Sequence, residues 1–214
     1  MARRPRLYVP DMSVHIIHRG INRMTIFEDT MDHLAFLQMM KSAMDEGDIK
    51  VHAYVLMKTH FHAIATSPRA TALPDAMRVF GRRFTDHFNA KYDRIGTLWN
   101  ERPVEKHLWD EKYWLTCLRY VELNPARAGV VGDPADYEWS SYRVHAYGEP
   151  CDWLAPHRVY EELGETPLER QVAYRALCRV PLTAEELTEI RLARENRPKR
   201  ARAATAPVAA TAVA

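Results

Sequence analysis

Cysteine is scarce in this chain: only Cys117, Cys151 and Cys178 occur among 214 residues. An odd number at wide spacing makes neither a disulfide framework nor a CxxC zinc site, and it suits a reducing compartment. Long apolar runs are missing as well. No stretch approaches the roughly 18 residues that would read as a membrane span. The opening MARRPRLYVPDM is basic but leads into no apolar segment, so it does not read as a secretory signal.

What is present is an ordinary globular mixture, 47% hydrophobic and 27% charged. Collagen, coiled coil and disorder throughout are excluded. At roughly 100–200 residues per domain, the length allows one domain with an appendage. It also suffices to bury a full core without disulfides. The formal net charge is only +2, but it is unevenly spread. Residues 1–132 carry 19 basic against 15 acidic side chains, 133–190 carry 5 against 12, and 191–202 carry 6 against 1. Either part of the chain meets an anionic partner, or these are solvated surfaces with a basic tail.

Patterning gives the elements. Residues 13–19, SVHIIHR, are apolar and β-branched enough for a strand. Gly20 to Arg23 read as a loop, and 24–28, MTIFE, as a short strand or extended arm. Asp29 or Thr30 caps a helix to about Glu46, with Leu34, Leu37, Met40 and Met44 at helical spacing and Gly47 ending it. Residues 50–57 and 60–66 read as strands, and Lys58-Thr59 between them has hairpin length. A helix over about 75–92 rests on Met77, Phe80, Phe84 and Phe88, and 102–108 is the last strand. A further helix spans about Asp110 to Leu123, Asn124-Pro125 interrupts it, and a short helix ends at Gly129.

The order β, α, β, β, α, β predicts an α+β fold of the ferredoxin-like, split βαβ kind, an antiparallel sheet with helices on one face. Residues 133–195 read as a helical C-terminal extension, helical throughout from about 137. Residues 196–214, rich in Ala, Arg and Pro without apolar periodicity, read as a disordered basic tail.

Two constellations carry chemistry. In His60-Phe61-His62 the two imidazoles share one face of a strand, and Phe61 turns to the other. Such a pair can bind one divalent ion, or be two exposed strand histidines. Tyr120 and Asn124, four apart, share a helical face. A tyrosine oxygen can act as a covalent nucleophile, and a carboxamide oxygen can ligate a hard cation. Asn-Pro is equally a helix-start signal, with Asn as cap, and the two roles compete for one oxygen. Tyr113 shares the helix, but its partner four residues on is Cys117, a poor ligand for a hard cation. Trp99, Trp114 and Trp139 either pack in the core or stack unpaired bases.

Several motifs stand in order: HIIHRGINR, VLMKTHFHAIAT, GTLWNERP, YWLTCLRYVELNPARAGVV and WSSYR. With them the sequence resembles the single-tyrosine HUH transposases, and most closely the REP-associated tyrosine transposases, over about residues 8–195. RYVELNPARAG is the most specific piece. There are departures. Met-Lys-Thr-His stands where the family has Met-Pro-Asn-His, Pro103 follows Arg102 where an aromatic is expected, and a Gly-rich closing motif is missing.

The resemblance implies that 1–132 is a single-tyrosine nuclease domain with Tyr120 as nucleophile, His60 and His62 as metal ligands and Asn124 as third ligand. It implies a metal-dependent DNA nickase and strand transferase, with Mg²⁺ or Mn²⁺ as cofactor. The substrate would be single-stranded or hairpin DNA, of the REP-like palindrome class, cut through a 5′-phosphotyrosine link. Arg19, Asn22 and Arg23 match a family motif. Arg78, Arg82 and Arg83 on the second helix, and Arg119 and Arg127 beside the tyrosine motif, complete the candidate DNA contacts. No residue announces itself as the base for the phenol. His107 and His15 are candidates that read more readily as structural. A monomer acting in the bacterial cytoplasm at the nucleoid, away from membranes, is expected. The competing readings are a DNA hairpin binder that does not cut, and a replication initiator or relaxase. A pure binder needs none of His60, His62, Tyr120 and Asn124.

Overall fold

The computed structural model describes residues 9–192. Its first six elements are β1 (Ser13–Arg19), α1 (Thr30–Glu46), β2 (Lys50–Met57), β3 (His60–Thr66), α2 (Ala72–Lys91) and β4 (Val104–His107). The four strands form one sheet in the order β2-β3-β1-β4, antiparallel throughout. β1 and β2 flank β3 and are joined through α1, which is the expected split βαβ arrangement. A capping box between Asp29 and Asp32 starts α1 where the sequence places it. Residues 24–28 take the extended-arm alternative. The Ile26 N–H donates to the Lys58 carbonyl at 2.9 Å, and the side chains of Ile26 and Phe27 are buried in the core.

Strand alternation builds two unlike faces. Val14, Ile16, Phe61, Ala63 and Ala65 meet Phe36, Phe80, Phe84 and Phe88 of α1 and α2 in one apolar core. This is the helical face that the element order predicts. The helix after β4, α3 (Glu111–Glu122), lies on the opposite face, whose position the pattern left open. There Ala53, Val55, Met57 and Ile64 meet Trp114, Cys117, Leu118 and Val121 in a second core.

Four short helices follow the turn α4 (Asn124–Arg127): α5 (Tyr142–Tyr147), α6 (Arg158–Glu161), α7 (Pro167–Arg179) and α8 (Ala184–Leu192). The extension is therefore not helical throughout, and the reason is the open edge of the sheet. The N–H of Leu56 donates to Trp139 O, that of Ser141 to Tyr54 O, and that of Ala155 to Val51 O, at 2.8, 3.0 and 2.8 Å. An irregular chain can offer the edge strand β2 these partners, whereas a helix uses its own. The expected basic tail, 196–214, lies outside the described residues. Among the described residues, no helix is long and apolar enough to cross a membrane.

Candidate active site

His62 stands at the centre of the polar face. Ile17 of β1 and Val55 of β2 are its cross-strand neighbours, so it sits in the middle of the sheet. Its Nδ1 lies 2.8 Å from Nε2 of His15 on β1, and the two rings stack with centroids 5.0 Å apart. His60, two residues along the same strand, places its ring 5.1 Å from that of His62. The strand thus brings the two sequence-predicted histidines together, with Phe61 turned into the opposite core.

Helix α3 supplies the other half. Asp110 caps its start through the Tyr113 N–H, and the helix lays Tyr120 across the histidines. The Tyr120 ring meets those of His62 and His15 edge-on, at 5.7 and 6.0 Å. The Arg127 guanidinium lies over the same ring, 4.6 Å from its centroid. Asn124 begins α4, Leu123 occupies the cap position, and no side chain caps that helix. The Asn124 carboxamide turns instead toward the sheet, with its nitrogen 3.3 Å from His62 Nε2. Since amide nitrogen and oxygen exchange by rotating the group, either atom can face this imidazole.

Burial holds the imidazoles neutral. It pushes His60 down to about 4, helped by Arg19, and His15 to about 3, helped by Lys106. Burial and the neighbouring His15 and His60 hold His62 well below its ordinary value too. A neutral imidazole keeps a lone pair for a cation, and the His15 contact on Nδ1 orients the other nitrogen of His62 outward. Among the described residues, no group of three or more His, Cys, Asp or Glu is placed to hold a metal ion. Beside His60 and His62, the Asn124 carboxamide is a further side chain with an oxygen that could face a divalent ion. Two imidazoles and a carboxamide fit such an ion.

Other expectations sort by position. Tyr113 is buried and its hydroxyl has no hydrogen-bond partner, so it is not poised to meet a substrate. His107 pairs with Val14 across β1 and β4 and so faces the apolar side. Of the two candidate bases, only His15 shares a face with Tyr120. Trp99 bonds the Gly81 carbonyl, Trp114 stacks on His157 and Trp139 on His33, so all three pack rather than await bases.

The candidate DNA residues divide likewise. Arg19 is the cross-strand neighbour of His60, and Asn22 and Arg23 lie exposed in the turn beyond it, at left-handed φ of 52° and 58°. Gly20 lets this turn close, since a Cβ there would meet the Met24 carbonyl oxygen at 2.6 Å. Arg127 stands beside Tyr120. Arg78, Arg82 and Arg83 project from α2, across the sheet from Tyr120, and pair with Asp75, Asp86 and Glu46. Arg119 is a correction. It is buried and donates to the Val180 carbonyl, because it fastens α3 to the extension rather than offering charge at the surface.

Two residues escaped sequence reasoning in their actual roles. His15 is a neighbour of the His62 ring, which follows once β1 is set antiparallel to β3. Glu122, fully buried, accepts hydrogen bonds from Ser141 Oγ, from His145 Nδ1 at 2.7 Å and from Tyr174 Oη at 2.6 Å. It ties the helix carrying Tyr120 to α5 and α7. A glutamate flanked in sequence by Val121 and Leu123, in a helix whose neighbours are largely apolar, was the available signal.

The family model of IS200-like transposases matches residues 8–126. Among solved structures, a REP-associated tyrosine transposase bound to a REP hairpin is 19% identical, with a TM-score of 0.56 over 73% of this chain and 93% of that one. A proposed transposase from Deinococcus radiodurans R1 is 14% identical, with a TM-score of 0.40 over 52% of this chain and 89% of that one. No curated protein matches the chain.

Proposed function

This chain belongs to the IS200-like transposase family, and from that premise we propose that it is a metal-dependent DNA nickase and strand transferase. Its substrate is single-stranded or hairpin DNA of the REP-like palindrome class. The observation that carries the reading is the convergence of Tyr120, His62, His60 and Asn124 on one face of the sheet. The Tyr120 and His62 rings lie 5.7 Å apart, and the Asn124 carboxamide lies 3.3 Å from His62.

In this reading His60, His62 and Asn124 would hold a divalent ion, Mg²⁺ or Mn²⁺, which when bound would withdraw charge from a phosphate oxygen. Tyr120 Oη attacks the phosphorus in line. The P–O3′ bond breaks, the 3′-OH leaves with a proton, and a 5′-phosphotyrosine link forms. The reverse attack by a 3′-OH rejoins the strand and frees the tyrosine. The Arg127 guanidinium, 4.6 Å from the centroid of the Tyr120 ring, is placed to meet the incoming phosphate. His15 keeps His62 oriented, so its part is positioning. Arg19, Asn22 and Arg23 guide the strand past His60. All four central residues come from one chain and lie together, which supports a single protomer as the acting unit. Such chemistry belongs with chromosomal DNA in the cytoplasm.

The test is a hairpin oligonucleotide with single-stranded flanks, incubated with the protein in Mg²⁺ or Mn²⁺. Cleavage with a covalent protein–DNA product is expected, and EDTA or the His60→Ala/His62→Ala double variant should stop it while hairpin binding persists. Cleavage that continues undiminished in EDTA contradicts the metal. Binding without any cleavage, in either metal, favours a hairpin binder that does not cut.

A further inference from the structure

The acidic extension is poor company for DNA, with 12 acidic against 5 basic side chains over residues 133–190. Two of those five, Arg175 and Arg179 of α7, nevertheless line one cavity together with Arg127 of α4. The cavity measures about 500 Å³ and is also lined by Tyr142, Tyr147 and Asp133. That volume lies in the range of small-ligand sites. Among the described residues, no carboxylate pairs with Arg127, Arg175 or Arg179, whereas Arg83, Arg143 and Arg158 elsewhere all have such partners. The one acid of the lining, Asp133, is engaged by the Ala135 N–H at 2.8 Å. Tyr147 is half exposed, and the Arg175 guanidinium lies 5.1 Å from its ring centroid.

Anion-seeking guanidinium groups beside an exposed aromatic ring suit a nucleotide, which offers a phosphate and a flat base. The cavity also joins the site already described, because Arg127 both lines it and covers the ring of Tyr120. Arg127 thus borders both Tyr120 and the cavity. We propose that this cavity is a nucleotide-binding subsite. It would hold an unpaired nucleotide next to the scissile phosphate, with phosphate on Arg127, Arg175 and Arg179 and base against Tyr147. The proposal rests on the function read above. It assigns to the extension a direct part in gripping the substrate strand.

The test uses full-length protein carrying Tyr120→Phe, so that binding is read without cleavage. Three fluorescent hairpins are titrated: one blunt, one with four-nucleotide single-stranded flanks, and one with the same flanks abasic. The flanked hairpin should bind tightest. Arg175→Gln/Arg179→Gln should erase about tenfold of that preference and lower the salt slope by about 0.7 for each phosphate no longer neutralised, while blunt-hairpin affinity stays put. Tyr147→Leu should make the flanked and abasic probes equal. Because Arg175 also touches the Ala146 carbonyl, Arg179→Gln alone is included, and it should lose part of the preference with an unchanged melting temperature. Flanked binding that is unaltered in both arginine variants overturns the subsite. Adduct formation by the protein with Tyr120 intact is scored separately. A surviving adduct with no loss of flank preference removes the subsite and leaves the chemistry. A lost preference without any adduct does the reverse.

Discussion

The two faces of the sheet are made from the same strands and do opposite work. On the α1–α2 side, Phe61 meets Phe36 and Phe80 with ring centroids 4.9 and 6.0 Å apart, in an apolar, aromatic-rich core. On the α3 side, its neighbours His60 and His62 join His15, Tyr120 and Asn124. Alternation along β3 lets one strand serve both. The apolar face supplies the burial that holds the strand rigid, and that rigidity allows three imidazoles to be kept neutral and close without collapsing or charging.

The sharpest way to break this comparison is to cut neighbouring residues. Phe61→Ala should cost about 3–5 kcal/mol of stability by cavity formation, read by denaturant unfolding. His60→Ala should move stability by less than about 1 kcal/mol, and yet cleavage should fall at least about a hundredfold. In the proposed reading the metal would then lack its second imidazole, and ligand-shell changes alone cost about that much. Equal stability losses in the two variants would show that the faces are not divided as described.

Acid should find the α3 side first. His52, at the bulge of β2, is buried against Trp114 and His157, and its nitrogens contact the Ala155 carbonyl and the Thr66 hydroxyl. Burial, the main cause, pushes it down to about 4, with His157 adding to the effect. The unfolded chain therefore takes up this proton first. The stabilisation is complete above about pH 6.5 and is lost as pH falls toward 4, on the order of 1–3 kcal/mol. Unfolding free energies measured across that window should fall less steeply in His52→Gln. An equally steep fall would place the acid sensitivity elsewhere.

Asn124→Ala separates ligation from capping. With Leu123 at the cap position, the melting temperature should hardly move, while the metal concentration for half-maximal cleavage should rise roughly tenfold or more. A titration overlaying wild type would remove Asn124 from the ligand set. The smallest effects belong to the outer surface of α2. Arg82→Ala should leave both DNA affinity and salt slope unchanged within error, whereas Arg19→Ala should lower the slope by about 0.7. Matching slopes in the two variants would mean that DNA does not discriminate between the faces.

Most of the fold is legible in the sequence because its local rules agree. Three strands and α1 follow from alternation, the hairpin-length Lys58-Thr59 and the Asp29 cap. Pairing of His60 with His62, and of Tyr120 with Asn124, follows from periods of two and nearly four. What stays hidden is long-range. His15 meets His62 only across a sequence separation of 47 residues. Arg119 looks like a surface charge until α7 and α8 cover it. The irregular parts of the extension answer to the open edge of β2, which no local pattern announces.

The claim on which everything else hangs is that Tyr120 is the attacking group. The direct measurement is mass spectrometry of the peptides from a trapped protein–DNA product, with Tyr120→Phe run beside it. The expected result is one nucleotide-modified peptide, 5′-phosphate on Tyr120, and no adduct in the variant, whose hairpin affinity and melting temperature stay at the parent values. An adduct on any other residue, or one that persists in Tyr120→Phe, would contradict it.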